Sequence, residues 1–372
     1  MKYQSALPFF HESDIQSIIE QFRDILLGNG MLTKGPIVKK FERAYSDYIG
    51  TQFGISTNSC TTALEIVLKS INIKEGDEVL VPAQTFVSTG TSVVNAGGNP
   101  VFCDTDDNFS IDFEDLKSKI TKRTKAVIVV HYAGLIQENI FDLKDFLQKR
   151  KIFLIEDCAH ASGANINGIM AGNIGDFGCH SFYSTKIMTT GEGGMITLND
   201  ENKYNKCASI RSIGIDFNSK TEIFTNIGSN YRMAEFQAIL GLSQLSRLDQ
   251  FVDHRITIAN SYKKELKSLN EKGILTFQTL NSSTKHSFWK FIVYLNSDKI
   301  SLIDLKQKLI DKGINISAPY FPLMHKQPVF DNNLFLPNVE LMSKKHFCLP
   351  IHFKISLNDS VIISRLLKEA LK

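Results

Sequence analysis

From Ala126 to Val130, between Lys125 and His131, the chain is apolar without a break. A short run with no polar alternation fits a strand covered on both faces, which is the situation of a parallel strand flanked by helices. Strand-like runs recur at Gln52–Ser56, Glu78–Pro82, Pro100–Asp104, Ile152–Asp157 and Met195–Leu198, and the segments between several of them have helical spacing. Thr62 leads a helix bearing Ala63, Leu64, Val67, Leu68 and Ile71; others are predicted over Thr85–Ala96, Phe113–Ile120 and Leu143–Arg150. Strand and helix in alternation specify an α/β sheet, whose ligands lie beyond the carboxyl ends of the strands.

The flanks read differently. Ile15, Ile18, Ile19, Phe22 and Leu26 give a helix over Asp14–Leu27, stopped at Gly28-Asn29-Gly30, and Pro36 opens the next, which ends at Gly50. After residue 200 the sheet pattern fades into a long helix from Tyr231 to Leu245, continued past Leu248 to about Leu266. A strand over Phe288–Tyr294, a helix over Ile303–Lys312, an irregular Pro-containing stretch and a helix over Asp359–Leu371 then make a smaller α+β unit.

Composition narrows the function. The 372 residues are 43% hydrophobic and 22% charged, and the net charge of +3 is spread among both signs, so there is no basic footprint for nucleic acid. No apolar run approaches the roughly 20 residues of a membrane span, and the N-terminus lacks the apolar core of a signal peptide. Six cysteines are scattered without a CxxC pair, which predicts reduced thiols in a cytoplasmic protein and no metal site.

The chemistry centres on Gly178-Cys-His-Ser-Phe-Tyr-Ser-Thr-Lys186, an apolar run that delivers one lysine to the end of a predicted strand before the glycine-rich turn at Gly191–Gly194. The strand ending in Asp157 brings a carboxylate to the same edge. A lysine to form a Schiff base and an aspartate to hold a proton on a pyridine nitrogen are what pyridoxal 5'-phosphate (PLP) requires. The turn Thr57–Thr62 supplies an anion cradle through the Cys60 and Thr61 amides and the Ser59 or Thr61 hydroxyl, with Ser181 approaching from the lysine's strand. Phe86 offers a ring to stack on the pyridine, and His160 a partner for the phenolic oxygen. Each has an ordinary alternative: a capping box at Thr62 and Glu65, a core phenylalanine, a backbone-satisfied histidine, a helix-capping aspartate, a solvated lysine. Their joint placement on separate loops favours the cofactor site.

These residues, with Gly76–Pro82, Thr85-Phe86-Val87, Glu156-Asp157-Cys158-Ala159-His160-Ala161, Thr189–Met195, Asn230–Met233 and Gln237-Ala238, make the chain similar to the sugar aminotransferases of the DegT/DnrJ/StrS type from about Gly30 to Pro350. The resemblance implies the aspartate-aminotransferase fold, fold type I: a large, mixed, mostly parallel sheet over residues 31–248, a small domain over 249–372, and an N-terminal helical segment, 1–30, associated with the small domain. It implies that Lys186 bonds to PLP, Asp157 pairs with the pyridine nitrogen, His160 lies by the phenolic oxygen, Phe86 stacks, and Cys60, Thr61 and Ser181 bind phosphate. Asn230 matches an asparagine that reaches the phosphate across a homodimer interface. The implied reaction moves an amino group from L-glutamate to a nucleotide-linked keto-sugar, with Lys186 carrying the proton. Relatives with histidine at this position are dehydratases, so Lys186 argues for amination.

The run Lys186–Gly194 resembles members that aminate C4 of a 4-keto-6-deoxy sugar, such as perosamine synthases. By the same resemblance Pro319–His325 is the sugar-side loop, with Tyr320 and His325 in the pocket, although an arginine frequent just before it is replaced by Ile316-Ser317-Ala318. Two alternatives stay open at this point, a cyclitol or other non-nucleotide ketone as acceptor and a non-catalytic PLP-fold protein.

Overall fold

A computed structural model describes residues 2–320, 322–330 and 333–372. An extended segment leads into α1 (Glu12–Asp24), whose end loosens through Ile25–Asn29. Pro36 starts α2 (Pro36–Ile49), and Gly50, at φ 83°, ends it in the left-handed conformation that glycine adopts without penalty. The alternation then runs β1 (Phe53–Thr57), α3 (Cys60–Ser70), β2 (Glu78–Pro82), α4 (Ser88–Asn95), β3 (Asn99–Cys103), α5 (Phe113–Lys119), β4 (Thr124–Val130), α6 (Ile140–Gln148) and β5 (Phe153–Asp157). A short excursion, β6 (Asn165–Ile166) and β7 (Ile169–Met170), precedes β8 (Phe177–Ser181), β9 (Gly194–Leu198) and α7 (Glu201–Arg211).

Seven of these strands form one sheet in the order β1-β9-β8-β5-β4-β2-β3. The strands run parallel except β9, which is antiparallel to both its neighbours, β8 and β1. Helices cover both faces, and the apolar strands divide their side chains between two cores. Ala126 and Ile128 of β4 face one, with α3, while Val127 and Val129 face the other, with α6.

The chain continues through α8 (Glu235–Leu245), α9 (Leu248–Glu265) and α10 (Lys267–Glu271) to β10 (Leu275–Phe277), β11 (Thr284–Lys285) and β12 (Phe291–Leu295). The last elements are α11 (Leu302–Asp311), α12 (Pro337–Ser343), β13 (His346–Leu349) and α13 (Leu357–Ala370). β10, β12 and β13 form a second, antiparallel sheet. Its alternation is what seats it on the large sheet. Ile292 and Tyr294 of β12 join the large-sheet core, while Phe291, Val293 and Leu295 pack with α9, α11 and α13.

Three expectations differ from the structure. The helix predicted from Tyr231 begins at Glu235, because Tyr231 is extended, its carbonyl accepting the Asn58 amide at 2.9 Å, and Ala234 bridges Thr33. The N-terminal 30 residues do not travel together: Tyr3 bridges Ile314 in the smaller unit, whereas α1 packs through Ile18 and Phe22 on Phe236, Ile239 and Leu240 of α8, with Asp14 paired to Arg247. The strand predicted from Phe288 starts at Phe291, since Phe288 has φ 48° and cannot continue a pleat.

At the carboxyl end of the sheet, the fully buried Glu156 accepts the amides of Gly172 (3.0 Å), Ile174 (2.8 Å) and Gly175 (2.6 Å) and pairs with His131 Nε2 at 2.8 Å. Burial alone raises a carboxyl's pKa, but here His131 and the amides outweigh it and hold Glu156 below the usual range. A group depressed in the folded state stabilises above its unfolded pKa, and that contribution is lost as pH falls through the folded value. We therefore expect Glu156→Gln to destabilise by about 2–4 kcal/mol at neutral pH, with the deficit shrinking toward acid; urea midpoints of both proteins across pH 3–7 give the comparison.

Candidate active site

Five segments bring the site together at the carboxyl ends of the strands. Ser181 closes β8 and pairs in register with Gly194, which pairs on its other side with Thr57 of β1. Gly194 must be glycine, because a Cβ there would lie 2.5 Å from the Ser59 carbonyl carbon and 2.7 Å from the Cys60 nitrogen. This close approach sets Ser181 beside the start of α3. The cap of α3 is Ser59, whose hydroxyl accepts the Thr62 amide at 3.2 Å. The Glu65 carboxylate goes to Tyr231 (2.6 Å) and Lys69 (2.6 Å) instead of closing a capping box. The amides of Cys60 and Thr61 stand at the first two helical positions, where no intrahelical acceptor exists.

Asp157, the last residue of β5, is buried and held by the Thr89 hydroxyl (3.0 Å) and the Ala159 amide (3.1 Å), with the Cys60 thiol at 3.9 Å. Burial raises its pKa against these donors and against the attraction of Lys186. Lys186 lies in the turn beyond β8, its amide bonded to the Tyr183 carbonyl at 2.9 Å. It is half-buried, and its side chain makes no hydrogen bond among the described residues. Desolvation pushes its amine down to about 8; Asp157 and Cys60 oppose that and Lys290 adds to it. At neutral pH a useful fraction of this lysine is therefore the uncharged nucleophile.

His160 lies flat on Trp289 (centroids 3.9 Å apart, 8°), with the Tyr320 ring to its side in nearly the same orientation (5.6 Å, 11°). Burial, with Lys186 and Lys290 nearby, drives its pKa well below the ordinary value, so it is neutral. Its Nε2 meets the Tyr320 hydroxyl at 2.7 Å, and its Nδ1 is buried without a partner among the described residues. When the Tyr320 hydroxyl donates to Nε2, the one ring proton sits on Nδ1, ready for an acceptor.

Phe86 is 54% exposed and, with Thr85, Val87, Tyr320, Met324 and Gln327, lines a cavity of about 370 Å³. Phe86 makes a tilted contact with Tyr320 (5.9 Å, 50°), so the ring is at the mouth and not in the core. His325 is a correction. Its side chain is fully buried, bonded to Glu340 at 3.2 Å and near Phe102, and it is not part of the cavity wall. Leu323 and Met324 pack inward and take His325 with them. Asn230 is exposed, its backbone bridged to Ser212. Thr89 and Trp289 belong to the site and were not singled out from sequence; Thr89 looks like any helical threonine, while Trp289, the chain's sole tryptophan, carried a signal in its rarity.

The site fits PLP. It offers a desolvated amine with no acceptor, a buried carboxylate, free helix-start amides and an unpartnered histidine nitrogen, the donor set that this cofactor uses. Fold and site thus define a fold type I PLP-dependent aminotransferase. Comparison with known proteins agrees: the chain belongs to the DegT/DnrJ/EryC1/StrS aminotransferase family, which matches residues 12–366. It is 36% identical over 298 residues to a GDP-perosamine synthase of Caulobacter vibrioides, covering 80% of this chain and 79% of that one. An aminotransferase structure from Psychrobacter cryohalolentis superimposes with a TM-score of 0.92 at 27% identity, covering 99% and 98%. The PMP-form of a sugar aminotransferase from Streptococcus pneumoniae gives 0.90 at 25% identity, covering 100% and 98%.

The electrostatics make one expectation specific. Asp157 favours the charged form of Lys186, so Asp157→Asn lowers the lysine's pKa below about 8. The pH dependence of PLP attachment to the apoprotein, which requires the neutral amine, should shift to lower pH in that variant.

Proposed function

We propose that this aminotransferase moves an amino group from L-glutamate to C4 of a nucleotide-linked 4-keto-6-deoxyhexose. The observation that carries the reading is the desolvated amine of Lys186, which feels the Asp157 carboxylate and stands 4.4 Å from the Trp289 ring stacked on His160. The similarity to a GDP-perosamine synthase supports the acceptor class, and the cavity walled by Phe86 and Tyr320 gives the sugar a place beside the site.

When bound, PLP supplies an electron sink that acidifies the carbon next to the transferred nitrogen. The chain's residues do the rest. Cys60 and Thr61 amides, with the Ser59 and Ser181 hydroxyls, hold the phosphate; Phe86 covers the ring; Asp157 keeps a proton on the ring nitrogen; and His160 Nδ1 donates to the phenolic oxygen. Lys186 Nζ would hold the cofactor and, as general base and acid, would take and return the proton that moves during transfer. The acceptor stage uses the same proton path in reverse.

The active unit in this reading is a homodimer in the cytoplasm. Leu26, Leu27, Met31 and Leu32 after α1 are exposed, as are Phe217, Phe224 and Ile227, the last by 92%; apolar surface of this extent marks an interface. Beside it a cavity of about 750 Å³ between α2 and residues 211–233 is lined by Arg232, whose Nε and Nη1 are buried without a partner among the described residues. Asn230 adjoins this surface and is assigned to the partner subunit's phosphate.

Glutamate should bleach the visible absorbance of the PLP-loaded protein, and a panel of nucleotide-linked keto-sugars should restore it, with the mass of the product locating the amine. Lys186→Ala abolishes turnover, a loss of more than about 10³-fold, without altering the far-ultraviolet circular dichroism. Turnover of a cyclitol ketone with no nucleotide-linked sugar accepted would replace the acceptor assignment. The dimer has its own test. Mixing Lys186→Ala with Asn230→Ala subunits rebuilds one intact site per heterodimer if Asn230 acts across the interface, and none if it acts within its own chain.

A further inference from the structure

Trp289 has an unusual set of neighbours for a buried indole. It is 5% exposed and stands just before β12, aimed by Phe288, whose φ of 48° is a conformation a bulky residue rarely takes. Its Nε1–H donates to the carbonyl of Thr185, the residue before Lys186, at 2.8 Å. Its ring lies flat on His160, with centroids 3.9 Å apart. The Lys186 nitrogen is 4.4 Å from the ring centroid and the Lys290 nitrogen 5.0 Å. One side chain thus touches the lysine loop at its backbone, the lysine amine itself and the histidine of the site.

A core tryptophan needs only apolar neighbours and one acceptor for its N–H. An indole that spends its N–H on the lysine's own loop and offers its ring to the amine has a further consequence. The lysine side chain has four rotatable bonds, and among the described residues no hydrogen bond fixes its amine. An aromatic ring attracts the ammonium form and contacts the neutral one, so it restrains the nitrogen in both states.

We propose that Trp289 is the positioning residue for Lys186: anchored to Thr185 and stacked on His160, its ring is the surface that holds the lysine nitrogen in place when it is not bonded to the cofactor. This deepens, and rests on, the reading of Lys186 as the attachment point and proton carrier. The groups facing Lys186 are Asp157, Cys60, His160 and Lys290, and Lys290 is itself buried with its nitrogen 3.3 Å from the Ser5 carbonyl. Substitutions at 289 leave all of these in the chain.

Because Trp289 is the only tryptophan, biosynthetic incorporation of mono-, di- and trifluorotryptophan alters this ring alone and almost without change of shape. Fluorination weakens the attraction of the ring for a cation, so it lowers the lysine's pKa. The rate of PLP attachment to the apoprotein is measured against pH. We expect a midpoint near 8 for the unmodified protein, falling stepwise by about half a unit across the series. In Trp289→Leu we expect the glutamate half-reaction to slow about tenfold with little change in the glutamate concentration at half-maximal rate, and Trp289→Phe to regain most of that rate. An unchanged or rising midpoint in the fluorinated series overturns the proposal, as does a Trp289→Leu half-reaction at the unmodified rate. Failure of the underlying reading is a separate result. Borohydride reduction and peptide mass locate the cofactor, and quenching of the single tryptophan's emission on loading reports its proximity; attachment at another lysine without quenching rejects the reading, whereas attachment at Lys186 with a flat fluorination series rejects only the role of Trp289.

Discussion

Glu156 is the constraint on which the site depends. Its carboxylate collects three amides from the turn at 172–175 and the imidazole of His131 from the end of β4, so two neighbouring strand ends and the approach to β8 are tied to one buried charge. Such a charge costs several kcal/mol to desolvate and is tolerated only when its lone pairs are filled. Filling them fixes the register of β5 against β8, where Glu156 pairs with Gly178 and Asp157 with Cys179. Asp157 is the next residue, and its position follows.

The second constraint is steric. Gly194 lets β9 pass against the Ser59-Cys60 peptide, and the same residue pairs with both Ser181 and Thr57. A helix start and a strand end are thereby placed within one anion's reach of each other, although they are far apart in sequence. The positive end of α3 opens at that point, an arrangement that favours a negative ligand. Charge on the other side is arranged differently. Among the described residues the side chains of Lys186, Lys290 and Arg255 make no bond to a carboxylate; they are packed behind aromatic rings and carbonyl oxygens, and burial lowers the pKa of all three. A lysine in such surroundings exchanges its proton near neutrality and suits acid–base work.

Much of this was legible in the residues because it is local. Period and punctuation located the buried strands of the large sheet, and β2 occupies Glu78–Pro82, the span read from its apolar run. Asp157 and Lys186 could be singled out since a charged residue at the end of an apolar run has few structural uses. His325 was placed in the pocket by the resemblance of its loop, and only the packing of Leu323 and Met324 reveals that the loop turns it inward to Glu340. The break before α8 was invisible for a similar reason: Tyr231–Met233 have helical spacing, but backbone bonds to Asn58 and Thr33 hold the neighbouring residues extended.

By itself, then, the sequence determined the class of fold and singled out Lys186 as the candidate for the reactive lysine, since alternation of strand and helix and the chemistry of single side chains are properties of short segments. Only the tertiary structure decided which way β9 runs, that α1 packs on α8, that Thr89 holds Asp157, and that His160 is a neutral ring stacked on Trp289 and bonded at its edge to Tyr320. Those features join residues distant in sequence or on different elements, or depend on burial, and desolvation, the largest influence on both Lys186 and His160, exists only once the chain has closed around them.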